Sequence, residues 1–380
     1  MHYSQDAEVK LIATQLARMA DEGSIPHAML FHGREGSAKL QLALAFSQYI
    51  VCEDRLSGNF CGKCPACLKA GKMIHPDIHY VFPVIKKEGK KRQETTSADF
   101  LTEWRKAVLR NPFLSIQDWM KNLGAENSQP NINTRECNEI IQKLNLQSFE
   151  SFAKVLVIWL PEYLGKEGNR LLKIIEEPTD DTFILLIAED LSSILGTIIS
   201  RTQKVSVPPC NDETIINMLK EKNGLEESKA KQIAAIADGN MTMALSISEN
   251  ENKDYSALLF QWIRLSYKSA PEELTAFVNE LAALGREGQK NFLQYGLNYF
   301  REYLFLLSTG EKGARLSNRE YEIAQKMKNI IDIEKSEKIV GIFNSGISEI
   351  SRNANPKINF MAGSILMGAV LKGEELSLVN

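Results

Sequence analysis

Gly33-Arg34-Glu35-Gly36-Ser37-Ala38-Lys39-Leu40 is the stretch on which the fold turns. It follows a short apolar run at 27–31 and opens a helical pattern, the setting that a phosphate-binding loop of the form G-x-x-x-x-G-K-[ST] requires. Two of its four fixed positions depart. Ala38 puts a methyl group where backbone should approach a phosphate, and Leu40 replaces the hydroxyl that would hold Mg²⁺. Gly33 and Lys39 remain, with Gly36 inside the loop, so the sequence predicts a vestigial phosphate cradle centred on Lys39. Whether it still binds ATP is left open, because Lys39 and helix N-terminal amides attract phosphate without a metal.

Outward from this loop, apolar runs at 78–84, 155–160, 183–188 and 204–207 alternate with helical stretches, which predicts a parallel α/β sheet over residues 1–207. The run Val155-Leu156-Val157-Ile158-Trp159-Leu160 is apolar throughout, as a central strand covered on both faces should be. A hydrolysing nucleotidase needs carboxylates where this strand ends, to hold Mg²⁺ and align water. Trp159 and Leu160 stand there instead, and Glu162 lies beyond Pro161, which redirects the backbone. The two losses together predict no ATP hydrolysis by this chain. Arg201 precedes the last strand; a lone arginine is commonly solvated or salt-bridged, but its planar guanidinium also suits the γ-phosphate of a nucleotide held by a neighbouring subunit.

Cys52, Cys61, Cys64 and Cys67 have the spacing C-x8-C-x2-C-x2-C, four soft thiolates within a short segment, which is the complement of a tetrahedral structural zinc. The competing reading is a group of free buried or redox cysteines. With six cysteines in 380 residues, four of them crowded together, a disulfide-stapled secreted scaffold is excluded and a cytoplasmic metal site is expected. A site filled by four protein ligands leaves no place for substrate, so the zinc is expected to be structural.

The rest of the chain sets the domain plan. Its length calls for two or three domains, and 44% hydrophobic with 24% charged residues is a globular balance. Residues 86–130 interrupt the α/β rhythm as an insertion, a basic run at 86–92 followed by a helix-like segment around 100–109, and the insertion is read as a solvated loop in preference to a DNA-touching basic patch. Residues 208–250 read as a small helical lid and 251–380 as an all-helical domain, with Leu258, Trp262 and Leu265 on one face and Phe292, Tyr299, Tyr303 and Leu306 on another. The net charge of -3 gives no global attraction to DNA or anionic lipid. No apolar run approaches the roughly 20 residues that span a bilayer.

In order along the chain, Ile25-Pro26-His27-Ala28, the four cysteines, His75-Pro76-Asp77, the segment Asn169-Arg170-Leu171-Leu172-Lys173-Ile174-Ile175-Glu176-Glu177-Pro178, Ser200-Arg201 and Asn353-Ala354-Asn355-Pro356-Lys357 resemble the delta prime family of bacterial clamp-loader subunits, AAA+ proteins of the DNA polymerase III holoenzyme. The resemblance implies an AAA+ module with a zinc-binding insertion, a small helical lid and a helical collar that joins a hetero-pentamer. It implies that Arg201 completes the ATP site of an adjacent ATPase subunit. It also implies a non-catalytic stator, which meets the sliding clamp and primed DNA through the complex. Thr202 stands where the family has cysteine, and Met243 where related ATPases have a phosphate-sensing arginine. The rival expectations are an active ATPase subunit of the same machine and a zinc-dependent nucleic-acid-binding protein.

Overall fold

The computed structural model describes residues 6–374 except 57, 127, 250–253, 312–314 and 353. Asn353, quoted above, therefore lies outside the described residues. The chain divides into two compact units, one of residues 1–214 with 239–242 and one of residues 215–238 with 243–380.

The first unit opens with α1 (Ala7–Asp21), which Asp6 caps by accepting the Glu8 amide at 2.9 Å. Then come β1 (Ala28–His32), α2 (Lys39–Ile50), α3 (Pro65–Gly71), β2 (Ile78–Val81), α4 (Leu101–Arg110), α5 (Ile116–Asn122) and α6 (Thr134–Leu144). They are followed by β3 (Lys154–Trp159), α7 (Leu172–Glu176), β4 (Thr182–Ala188), α8 (Gly196–Ile199) and β5 (Gln203–Ser206). The five strands form one parallel sheet in the order β2-β3-β4-β1-β5. All six residues of β3 are buried, as its apolar sequence demands, whereas β5 is largely exposed and carries the polar residues of an edge strand.

β2 ends three residues earlier than its apolar run. Beyond Val81 the chain meets Ser97 instead of a strand: the Phe82 amide donates to Ser97 Oγ at 3.0 Å, and that hydroxyl donates to the Phe82 carbonyl at 3.1 Å. Pro83, lacking an N–H, cannot continue the ladder. The inserted segment is only partly the solvated loop its basic run suggests. Residues 88–94 are exposed, but α4 and α5 are packed, with Trp104 and Trp119 fully buried. Trp104 stacks on Phe82 with centroids 4.6 Å apart and lies 6.3 Å from Trp159, while Trp119 Nε1 donates to the Pro83 carbonyl at 2.8 Å. Trp104, Ala107 and Val108 share a helical face, and burying that face outweighs the charge nearby.

The second unit is helical. It holds most of α9 (Asp212–Asn223), α10 (Glu227–Ala237) and most of α11 (Met241–Glu249), then α12 (Tyr255–Lys268), α13 (Pro271–Ala282), α14 (Gly285–Thr309), α15 (Asn318–Met327), α16 (Ile333–Ser351) and α17 (Pro356–Lys372). The aromatic stripes read from the sequence form its core: Trp262, Phe292, Phe300, Tyr303, Phe343 and Phe360 are buried together. The two polar tips in that group find partners, Trp262 Nε1 on Ser364 Oγ and Tyr303 OH on the Ile331 carbonyl, each at 2.7 Å. No described helix is long and apolar enough to cross a membrane.

Candidate functional site

β1 delivers the chain to the degenerate loop at the C-terminal end of the sheet, and α2 leaves it. Gly33 is held by its amide on the Ala188 carbonyl at 3.3 Å. A side chain there would collide with the Val207 carbonyl, which accounts for the glycine without a nucleotide. Gly36 has φ +75°, and a Cβ on it would overlap the Asn240 side chain. Its carbonyl accepts the Met241 amide at 3.2 Å and faces the Cys210 thiol at 3.5 Å. Residues 240–241 therefore sit where a phosphate loop would be open. Ala38 is fully buried and Leu40 nearly so.

Lys39, the lysine of the phosphate-loop pattern, is 3% exposed and engaged within the chain. Its Nζ donates to the Arg34 carbonyl at 3.0 Å and pairs with Glu189 Oε1 at 3.2 Å. Glu189 immediately follows β4. At the end of β3, Trp159 is buried, Leu160 adopts φ +57°, and the chain turns through Pro161. Glu162 then accepts the amides of Glu189 and Asp190 at 2.6 and 2.9 Å, and burial raises its pKa. The nearest carboxylate to the strand end thus holds a backbone turn. Sequence reasoning missed Glu189, because nothing local ties it to Lys39 150 positions away. Its place directly after an apolar strand is the one available signal.

Arg201 lies at the other end of the sheet. β1 and β5 run parallel with Met29 opposite Gln203 and His32 opposite Ser206. Arg201 precedes β5, and the loop follows β1, so a strand length of about 13 Å separates the levels at which they leave the sheet. Its side chain is 35% exposed. Nε donates to Glu176 Oε2 at 3.0 Å and Nη1 to the Thr197 carbonyl at 3.1 Å. Glu176 ends α7 within the segment quoted above, so the structure joins two of the motifs; it does not bring Arg201 to Lys39. Thr202 caps the same turn, its hydroxyl on the Ile199 carbonyl at 3.1 Å, and Met243 is buried.

The four cysteines do come together. All four Sγ atoms lie within 4.8 Å of one another, and Cys61 and Cys67 are 3.9 Å apart. Zn–S bonds of about 2.3 Å in a tetrahedron place sulfurs about 3.8 Å apart, so the cluster fits a structural zinc. Backbone amides support the sulfurs: Cys61 N–H points at Cys52 Sγ, Cys64 N–H at Cys61 Sγ and Cys67 N–H at Cys64 Sγ, at 3.3–3.4 Å. Gly62, at φ +71°, makes the reversal that aims two of them. Amides of Lys63 and Cys64 lower the Cys61 pKa to about 7, whereas burial raises those of Cys52 and Cys67. Gln48 of α2 donates to the Cys67 carbonyl at 3.1 Å and ties α3 to α2.

A parallel sheet in this strand order, with a phosphate-type loop after β1 and a helical C-terminal half, defines a P-loop module of the AAA+ class. The chain belongs to the family described as "DNA polymerase III, delta subunit", whose profile matches residues 9–211. It is 26% identical over 269 residues to the DNA polymerase III subunit delta' of Haemophilus influenzae, covering 70% of this chain and 69% of that protein. Its likeness to the subunit delta' of Bacillus subtilis is 25% over 234 residues, covering 61% and 56%. Among solved structures it is similar to a DNA polymerase III gamma subunit-related protein of Thermotoga maritima, at TM-score 0.41 and 16% identity over 94% of this chain and 99% of that one.

Proposed function

We propose that this chain is the non-catalytic stator of a pentameric clamp loader: it lends Arg201 to the ATP site of an adjacent subunit and leaves hydrolysis to its neighbours. One observation carries the reading. Lys39 is engaged by Glu189 and by its own loop carbonyl, with residues 240–241 against Gly36. The loop's buried lysine and its second glycine are thus engaged from within, whereas Arg201 is exposed at the opposite end of the sheet. An arginine placed there cannot reach this chain's own loop, so a phosphate it serves must belong to another chain. The lid over 208–250 and the collar over 251–380 supply the ring contacts in this reading. Its partners are the ATPase and clamp-opening subunits, with the sliding clamp and primed DNA reached through the assembly.

The test is reconstitution. The isolated chain, with or without Lys39→Ala, should turn over no ATP. A complex assembled with Arg201→Ala should form normally but show DNA-stimulated ATPase and clamp loading slowed by about 10³ or more, the scale of a finger supplied in trans. Unchanged rates in that complex would remove the assignment.

In the same reading, Cys52, Cys61, Cys64 and Cys67 hold one structural zinc, which when bound supplies cohesion and no reaction step. Metal analysis should find about one zinc per chain. The variant Cys61→Ser with Cys64→Ser should carry none and melt at lower temperature. Metal-free wild-type protein from a zinc-replete preparation would end the zinc reading while leaving the finger untouched.

A further inference from the structure

A partly open cavity lies against the edge strand β2, between α4 and α6, with a volume of about 200 Å³. His75, His79, Arg105 and Lys143 supply its polar wall. Leu101, Ile140, Leu144 and Leu156 are among the residues of its apolar wall, and no carboxylate lines it.

Its donors are unused. His75 Nδ1 accepts the Asp77 amide at 3.2 Å, which places the ring proton on Nε2; that buried atom has no partner. Arg105 Nε is likewise buried without a partner. Lys143 and His79 form no hydrogen bond or ion pair among the described residues. Burial lowers the pKa of both histidines, so at neutral pH the wall carries two fixed cations and two neutral rings. The neighbouring carboxylate, Asp77, acts on both histidines through its charge, but its two oxygens take the amides of Phe149, Glu150 and Ser151 at 2.5–2.8 Å and so leave the donors of the wall without an acceptor.

Buried donors without acceptors are costly, and the two cations of the wall share a cavity that no carboxylate lines, although Glu136 acts on Lys143 through its charge; a bound anion supplies the missing acceptor. An apolar cavity of about 150 Å³ takes up benzene, so this volume admits a ring of that size plus one charged group. We propose that this cavity is a binding site for a compact organic anion, a carboxylate or phosphate ester on an apolar body about as large as a benzene ring. The anionic head meets Arg105, Lys143 and His75 Nε2, and the body lies on the leucine and isoleucine wall. The site uses neither the cysteine cluster nor Arg201 and stands whether or not the stator reading holds.

The full chain is titrated with benzoate, phenyl phosphate, inorganic phosphate and benzyl alcohol, following the histidine ring signals by NMR and the heat by calorimetry. At least one aryl anion should bind saturably. Benzyl alcohol and inorganic phosphate should each bind at least about tenfold more weakly, since one lacks the charge and the other the body. Lys143→Gln and Arg105→Gln should each weaken the aryl anion by about tenfold or more, the contribution of one charge-assisted hydrogen bond. The preferred aryl anion tells a carboxylate source from a phosphate one. The proposal is overturned by absence of saturation with both aryl anions, by equal affinity for benzyl alcohol or inorganic phosphate, or by unchanged affinity in both variants.

Discussion

The two ends of the sheet in the first unit have gone different ways. At the C-terminal end, where a P-loop module handles nucleotide, the surviving cation is paired with Glu189, and Glu162 caps a turn. Residues 240–241 abut the loop there, and a tryptophan fills the position of the metal-binding acid. At the N-terminal end Arg201 is held by Glu176 and the Thr197 carbonyl yet remains open to solvent. In the stator reading the first end is silent because Lys39 must give up its pair with Glu189 before it can hold a phosphate. A guanidinium at a rim keeps its use for as long as its local partners leave part of the fork uncovered.

The largest effect should come from trying to reverse the first end. Trp159→Asp restores an acid at the strand terminus but removes a fully buried ring that packs toward Trp104 and leaves a carboxylate among apolar neighbours. Loss of the ring alone costs about 3–5 kcal/mol, and the unpaired charge adds to it, enough to exhaust an ordinary domain's stability. Thermal melting should show the variant largely unfolded, with no ATPase gained. A folded variant that hydrolyses ATP would break the contrast between the two ends.

Arg201→Lys comes next and sharpens the second end. The charge stays, but the planar fork that bridges two phosphate oxygens goes, so the assembled ring should lose nearly as much ATPase as with alanine, at least about tenfold. The isolated chain should melt as wild type does, since an exposed pair contributes about 0–1 kcal/mol. Full activity in the lysine variant would mean that Arg201 acts as a point charge.

A cycle on the sealed loop should give a smaller number. Lys39→Met removes the cation facing Glu189, Glu189→Gln removes the carboxylate facing Lys39, and the double variant removes both charges. Because Glu189 retains 23% side-chain exposure, the coupling in denaturant melts should be about 1–3 kcal/mol, below that of a fully buried pair. Zero coupling would show the pair to be incidental, and the loop would then be free to take phosphate.

How far these differences could be read from the sequence depended on range. Strand runs, the missing hydroxyl at Leu40 and the Trp159-Leu160 pair are local patterns, and the sheet, its buried central strand and the lack of an acidic strand end follow from them. The cysteine spacing is equally local, and the four sulfurs meet. What seals the loop is not local. Glu189 meets Lys39, and Met241 meets Gly36, only after the sheet has formed. In the inserted segment the helix-like stretch at 100–109 is legible and α4 forms there, but the conspicuous basic run at 86–92 draws the reading toward a solvated loop and away from the apolar face of Trp104, Ala107 and Val108, which is packed.

The smallest effect concerns how Arg201 is aimed. Glu176 accepts from Nε and, among the described residues, Nη2 makes no hydrogen bond, so the pair orients the fork while part of it stays uncovered. Both partners are exposed, at 35% and 56% of their side chains, so the pair contributes little to stability and its field is screened by salt. Glu176→Gln keeps an acceptor for Nε but not the charge; it should leave the melting temperature unchanged and alter the ring's ATPase by less than about fivefold, the equivalent of about 1 kcal/mol. That change should shrink as salt rises. A loss as deep as that of Arg201→Ala, insensitive to salt, would mean that Glu176 itself touches the reacting nucleotide, and the N-terminal end would then hold two working groups instead of one.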